Sequence, residues 1–181
     1  MKVLLFYSFA IFTLWCLADA KFFEFTDCTK KDGIAEVTQF EVSPDPVDLR
    51  KNMTITSHLK ILRDVPIDAR LRTRYYKLRK VFGVDIDVPI PCLFGKFGSC
   101  TLRLCDYLKM FRDQAEPFYP EGVEYKCPVK AGDYGGDNVE VEIPDITAIG
   151  RYIARGRYRT ELELVINRKT EACYRILTEL K

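Results

Sequence analysis

Apolar and polar positions alternate with a period of two along most of the chain, the rhythm of strands with one face buried and the other in water. Val37 to Val42 is a short run of this kind. Further on, Met53, Ile55, Ser57, Leu59 and Ile61 share one face, and Thr54, Thr56, His58 and Lys60 take the other. Leu71, Thr73 and Tyr75 oppose Arg70, Arg72 and Arg74, and Val84, Ile86, Val88 and Ile90 oppose Asp85 and Asp87. Val139, Val141 and Ile143 alternate with Glu140 and Glu142. Tyr158, Thr160, Leu162, Leu164 and Ile166 stand against Arg157, Arg159, Glu161 and Glu163, and a last strand is expected over residues 172–180.

Turn residues separate these runs: Ser43-Pro44-Asp45-Pro46, Val65-Pro66, Pro89 with Pro91, the glycine-rich 132–137, and Pro144-Asp145. The glycine-rich piece lacks the spacing of a phosphate-binding loop and is expected to make a turn. The rhythm changes at Leu102, Cys105, Leu108 and Phe111, which recur every third residue and predict one short helix near residues 100–112, capped by Ser99 or Thr101. Seven or eight antiparallel strands predict an all-β chain folded as an immunoglobulin-like sandwich of two sheets. The pattern leaves open whether its interior is solid or hollow.

The start of the chain does not belong to that pattern. Lys2 is followed by an apolar stretch from Val3 to Leu17 and by Ala18-Asp19-Ala20, a charge, apolar run and small-x-small end that read as a secretory signal peptide over residues 1–20. Removing 20 of 181 residues leaves 161, residues 21–181, enough for one domain with its own core. No second long apolar run follows to act as an anchor, so a soluble, secreted product is expected.

Charge and cysteine usage narrow the function. A net charge of +2 supplies no global field for nucleic acid. The local basic clusters, Arg70, Arg72 and Arg74 and then Arg151, Arg155, Arg157 and Arg159, read first as solvated strand faces and second as a rim facing lipid headgroups. Of seven cysteines, Cys16 falls in the signal, and the remaining six predict three disulfides in an oxidising compartment, with fifteen possible connectivities. No C-x-x-C pair exists and His58 is the only histidine, so no metal site is expected. Asn52-Met53-Thr54 is a sequon, which makes Asn52 a candidate glycosylation site.

A hydrolytic triad or a Cys-His dyad needs an imidazole beside its nucleophile, and His58 lies on the polar face of its strand. The carboxylate pairs Glu140/Glu142 and Glu161/Glu163 sit on alternating solvent faces. No catalytic residue and no cofactor is expected.

Three stretches in order carry a family resemblance: Ile90-Pro91-Cys92 through Gly98-Ser99-Cys100-Thr101 to Cys105-Asp106-Tyr107-Leu108; then Cys127-Pro128-Val129 through Asp133-Tyr134 to Ile143-Pro144-Asp145-Ile146; then Gly156-Arg157-Tyr158-Arg159 with the late Cys173. With Asp27-Cys28 and the sequon, they span the mature chain and resemble the ganglioside-activator branch of the ML lipid-recognition family. The resemblance implies the disulfides Cys28 with Cys173, Cys92 with Cys100 and Cys105 with Cys127. It implies a β-cup, a sandwich opened at one end around an apolar lipid cavity. Met53, Ile55, Leu59, Leu71, Tyr75, Ile86, Leu162 and Leu164 would then line the cup.

The same resemblance implies a membrane-touching rim loop over residues 146–155, with Ile149, Tyr152 and Ile153 as inserts and Arg151 and Arg155 for headgroups. Phe94 and Phe97 would stand at the cup's mouth. The implied role is a monomeric lipid-binding protein that lifts a glycosphingolipid or phospholipid from a membrane and presents it to a lysosomal hexosaminidase. Alternatives are a sterol or fatty-acid carrier of the same fold and a secreted lipid-sensing module. Two departures weaken ganglioside specificity in particular. Tyr125 stands where the family has an additional cysteine, and the rim tryptophan is missing because the single Trp15 lies in the signal.

Overall fold

A computed structural model of the chain describes residues 21–30, 32–143 and 147–181. The expected signal at residues 1–20, the Pro144-Asp145 turn and Ile146 of the rim segment lie outside them. The described residues contain nine strands, every pairing antiparallel. In chain order they are β1 (Glu24–Asp27), β2 (Ala35–Ser43), β3 (Met53–Ile61), β4 (Arg70–Val81), β5 (Val84–Ile90), β6 (Thr101–Arg103), β7 (Gly132–Val141), β8 (Gly156–Ile166) and β9 (Lys169–Leu180). The larger sheet runs β1-β9-β8-β4-β5, with β6 also paired to β4, and the smaller runs β2-β3-β7.

Where alternation is cleanest, the register follows it. Leu71, Leu164 and Ala172 lie in line across β4, β8 and β9, and two residues along, Thr73, Leu162 and Tyr174 do the same. This is the face toward the smaller sheet. The strand expected to end near Tyr75 continues to Val81, because Phe82 and Gly83 take φ of 51° and 84° and turn the chain straight back into β5. A two-residue turn with both φ positive matches the twist of the flanking strands.

The glycine-rich 132–137 is a strand, contrary to the turn expected from composition. A Cβ on Gly135 would lie 1.8 Å from the Ser57 carbonyl oxygen, so only glycine lets β7 run against the irregularity between Ile55 and Ser57 of β3.

The expected helix begins later and is broken: α1 (Leu104–Met110) and α2 (Arg112–Ala115) lead into a 3-10 turn at Glu116–Phe118. Neither Ser99 nor Thr101 caps it. Thr101 is drawn into β6, Ser99 Oγ accepts the Tyr75 N–H at 3.0 Å, and the first helical amide, of Leu104, donates to the Ala69 carbonyl at 2.8 Å. A further helix, α3 (Ala148–Ala154), occupies the segment expected to be a rim loop, and Thr147 Oγ1 caps it by accepting from the Gly150 N–H at 3.1 Å.

The three disulfides are Cys28–Cys173, Cys92–Cys100 and Cys105–Cys127, with Cα separations of 4.9, 4.9 and 5.6 Å. They clamp the end of β1 to β9, close the loop carrying Phe94 and Phe97, and tie α1 to the approach to β7. Phe25 of β1 lies 5.3 Å from the ring of Phe40 in the smaller sheet and 5.6 Å from that of Tyr174 in the larger, so β1 joins the two sheets through aromatic contact.

Three outward-facing arginines of the larger sheet, Arg72, Arg74 and Arg159, are neutralised by carboxylates of neighbouring strands. Arg72 reaches Glu163 at 2.9 Å, Arg74 reaches Glu163 at 3.1 Å and Glu161 at 3.5 Å, and Arg159 reaches Asp87 at 2.6 Å. These three members of the basic clusters form an ion-paired strand face.

Buried Asp48 is held by both ends of the Arg50 guanidinium at 2.9 Å and by the Arg50 N–H at 3.1 Å. These bonds keep its carboxyl well below the usual carboxylate range. Asp64, beside the Lys130 ammonium and the Ala131 N–H, and Glu116, beside Arg112, are lowered in the same sense. A depressed folded value contributes stability that is complete above the ordinary carboxylate range and disappears as pH falls through the folded value. The melting temperature is therefore expected to stay level from pH 7 to about 5 and to drop only below about 4. Asp48→Asn should flatten that acid limb in a pH series of thermal melts.

Candidate functional site

The two sheets do not close on each other. The buried cluster of Ile34, Ala35, Ile61, Val65, Ala69, Val129 and Ala172 is small, and the larger inner-face side chains Leu59, Leu71, Leu162, Leu164 and Tyr174 are only half-buried. Beside them lies a cavity of about 280 Å³. The smaller sheet supplies Ala35, Leu59, Ile61 and Tyr134 to its wall, and the larger supplies Leu71, Leu164, Ala172 and Tyr174. The helical segment closes one side with Leu104 and Leu108, one turn apart on α1, and with Ala115, Phe118 and Tyr119; Val65 and Val129 complete the lining.

No side chain of that wall carries a charge. Burial pushes Tyr119 and Tyr174 up to about 12 and raises Tyr134 as well, so all three stay neutral. Tyr174 Oη donates to the Ala35 carbonyl at 3.2 Å and Tyr134 Oη to the Lys130 carbonyl at 2.9 Å. The Tyr119 hydroxyl is buried with no hydrogen-bond partner among the described residues. An uncharged, mostly apolar hollow can hold hydrocarbon and offers nothing for hydrolysis or metal binding. Among the described residues no group of three or more His, Cys, Asp or Glu stands ready to hold a metal ion.

Of the residues expected to line a cup, Leu59, Leu71 and Leu164 reach this wall. Leu162 shares their face one register step along the strand. Met53 and Ile55 continue the inner face of β3 toward its other end, half-buried and away from the cavity. Tyr75 is half-buried near Tyr107 of α1, and desolvation raises both phenols. Ile86 lies on β5 beyond the overlap of the sheets and is exposed. Sequence pattern passed over much of the wall. Leu104 and Leu108 had a helical spacing that could have placed them, whereas Ala35, Ala115 and Ala172 carry no such signal.

Tyr125 donates its hydroxyl to the Leu108 carbonyl at 2.7 Å and packs against Tyr119 at 4.5 Å. The hydrogen bond ties Tyr125 to the C-terminal half of α1, and the ring contact ties it to the chain just after the 3-10 turn.

Apolar side chains are also bared. On α3, Ile149, Tyr152 and Ile153 fall on one face and are 75%, 78% and 65% exposed. Phe94 is 88% exposed inside the Cys92–Cys100 loop, while Phe97 is half-covered, its ring 6.3 Å from Phe111. The sequence reading missed Phe82 and Val84 at the β4–β5 turn, the first fully exposed; a glycine between two alternating runs is the signal that could have found them. The last turn of α3 is fixed to β4, because Lys77 Nζ donates to the Ile153 carbonyl at 2.7 Å. Arg151 is half-buried and Arg155 exposed. Asn52 stands exposed at the lead-in to β3, its side-chain nitrogen 2.8 Å from Glu140. His58, on the outer face of β3, meets Asp137 at 3.0 Å.

Among the described residues no helix is long and apolar enough to cross a membrane. The family model described as ML domain matches residues 23–180. Among solved structures, a Niemann-Pick type C2 protein from the Japanese carpenter ant is similar at 15% identity, over 87% of this chain and 99% of its own, with a TM-score of 0.44. No curated protein matches significantly.

Proposed function

The chain belongs to the ML-domain family, a lipid-recognition family that is generally non-enzymatic, and from that premise we propose that it is a carrier that takes lipid out of a membrane and holds its hydrocarbon in the hollow between the sheets. The observation that carries the reading is the cavity wall, uncharged throughout and bordered by inner-face leucines left half-bare. Burying hydrocarbon is favourable by about 0.8 kcal/mol per methylene, so about twelve methylenes give roughly 10 kcal/mol. A tail is equally comfortable in a bilayer, which puts extraction near balance and lets a carrier load and unload.

The bared side chains of α3, the β4–β5 turn and the Cys92–Cys100 loop are the surface by which the carrier meets the membrane. Replacing Phe82, Tyr152 and Ile153 together by Ser is expected to slow lipid transfer between vesicles by about tenfold or more, since each large apolar side chain contributes about 1.5–3 kcal/mol when buried. Because all three are exposed, the melting temperature should not move. An unaltered transfer rate would remove these side chains from the mechanism.

The finer role is presentation of a glycosphingolipid or phospholipid to a degrading enzyme such as a lysosomal hexosaminidase, by a monomer in the secretory or lysosomal pathway. The ordered cysteine framework of the ganglioside-activator branch supports it. One observation favours a second reading: about 280 Å³ falls just below the roughly 300–1,000 Å³ usual for ligand pockets. That volume suits a single fatty chain or a sterol better than two tails. Native mass spectrometry of the purified protein with lipid extraction separates the readings. Ceramide-based or phospholipid species support the first and sterol or fatty acid the second, whereas protein that never acquires lipid refutes both.

A further inference from the structure

Cross-strand rows of polar side chains cover the outer face of the smaller sheet. Ser43, Thr54 and Glu140 stand in line across β2, β3 and β7, and Glu41 and Thr56 form the next row. Thr56 Oγ1 accepts the Asn138 N–H at 3.0 Å, and Gln39 Nε2 donates to Glu41 at 3.2 Å. The two rows border a hollow of about 320 Å³ whose lining includes Glu41, Ser43, Thr54, Thr56 and Asn138. Each of these side chains ends in a hydroxyl, a carboxylate or an amide, in contrast to the apolar wall between the sheets. Asn52 heads the same face. It is exposed, lies one alternation step before Thr54, and alone among the chain's three asparagines opens a sequon. Its Nδ2 donates to Glu140 Oε1 at 2.8 Å. An amide nitrogen carries two hydrogens. One is turned toward Glu140 on β7, so the other points away from β7, on the side where β3 and β2 lie.

We propose that an N-linked glycan on Asn52 lies down on this face and that its first sugars occupy the hollow beside Thr54 and Thr56. The inference rests on passage through the secretory pathway and is independent of lipid carriage. In the transfer, Nδ2 forms a bond to C1 of an N-acetylglucosamine and gives up one proton. The bond from C1 to the diphosphate of a lipid-linked oligosaccharide donor breaks, and the diphosphate leaves with the electron pair. The hydrogen that remains on Nδ2 keeps the bond to Glu140, which holds the sugar on the side of β3 and β2. Successive rows on one strand face are about 7 Å apart, so the first sugar lies at the row of Thr54 and the second reaches that of Thr56 and Glu41. Groups that both donate and accept complement a polyol. A hydrocarbon finds no apolar wall there, and a free anion meets the carboxylates of Glu41 and Asp45.

The test compares thermal melts of the wild type secreted from eukaryotic cells with those of the same sequence made in a bacterial periplasm, where no such glycan is added. Intact mass reports whether Asn52 is modified. The glycosylated form should melt about 2–4 °C higher, the shift that one net hydrogen bond makes in a domain of this size. Thr56→Arg puts a long side chain into the hollow, and in that background the two forms should melt together. The substitution also loses the bond from the Asn138 N–H, which lowers both forms alike and leaves their difference readable. Should Thr56→Arg not fold, Ser43→Arg on the edge strand β2 fills the same hollow and is read in the same way. An unmodified Asn52 in the secreted protein overturns the inference. So does a glycan that leaves the melting temperature where it was, or one that raises wild type and the hollow-filling variant equally.

Discussion

Ala115→Phe is expected to abolish lipid uptake while leaving the melting temperature of the empty protein unchanged or slightly raised. Ala115 sits on α2 facing the cavity, opposite leucines from both sheets. In an interior packed to ordinary density a phenyl ring forced in at an alanine costs about 1–3 kcal/mol through displaced neighbours. In a hollow of about 280 Å³ the ring has somewhere to go, and it covers apolar wall that is otherwise unpartnered. The same ring occupies the volume a lipid chain requires, so copurifying lipid and vesicle transfer should fall at least about tenfold, since a lost burial of two methylenes alone is worth about that factor. Thermal melts of delipidated protein beside lipid quantitation decide the matter. A clear drop in melting temperature with lipid uptake intact would mean that the interior is solid at that point and that guests bind elsewhere.

Removing Cys28–Cys173 should produce the largest loss of stability available from one covalent change. The bridge closes a span of 145 residues, and in the chain-entropy account a loop of that length is worth about 4–5 kcal/mol. For a domain of this size that corresponds to a fall of roughly 10–20 °C in melting temperature. Replacing Cys92 and Cys100 by Ser, which opens a span of 8 residues, should cost only about 2–3 kcal/mol on the same account. The native state adds its own reason for the difference. β1 is short, pairs among the described residues only with β9, and carries Phe25, which bridges to Phe40 and Tyr174; released at Cys28, it can peel away and expose both sheet interiors. Calorimetry of Cys28→Ser/Cys173→Ser under non-reducing conditions measures it. Equal losses for the two bridges would show that unfolded-state entropy is not the governing term.

Strand-rich architecture was legible because period-two alternation follows from burying one face, and long-range pairing then brings matching faces into line. Leu71, Leu164 and Ala172 illustrate it, as each had already declared its side of the sheet in the sequence. The errors came where local chemistry pointed one way and tertiary packing another. Glycines in 132–137 suggested a turn, but Gly135 is there to let two backbones touch. The spacing of Leu102, Cys105, Leu108 and Phe111 located a helix without its start, because Thr101 and Leu102 are taken by β4 before a helix can claim them. Residues 148–154 are too few for a helical period to stand out, and the bare apolar face of α3 has no core beneath it to enforce one.

The site was legible only in part, for a related reason. Alternation tells which way Leu59 or Leu164 points, but not where along the strand the opposing sheet has drawn back. That depends on the thickness of the helical segment, the placement of Leu104, Leu108 and Phe118, and the small side chains of Ala35 and Ala172, none of which a single strand records. Ile86 shows the converse: it alternates as well as any inner-face residue, yet the smaller sheet ends before reaching it.

The half-bare inner faces carry one more consequence. A domain that leaves its leucines and tyrosines uncovered hides less oily area on folding than a filled sandwich of equal length, so the heat-capacity gap between its unfolded and its empty folded forms is narrower and its stability curve flatter. A guest in the hollow supplies the missing contacts. The protein completes its own interior with material it did not encode, and its thermodynamic character is that of the pair.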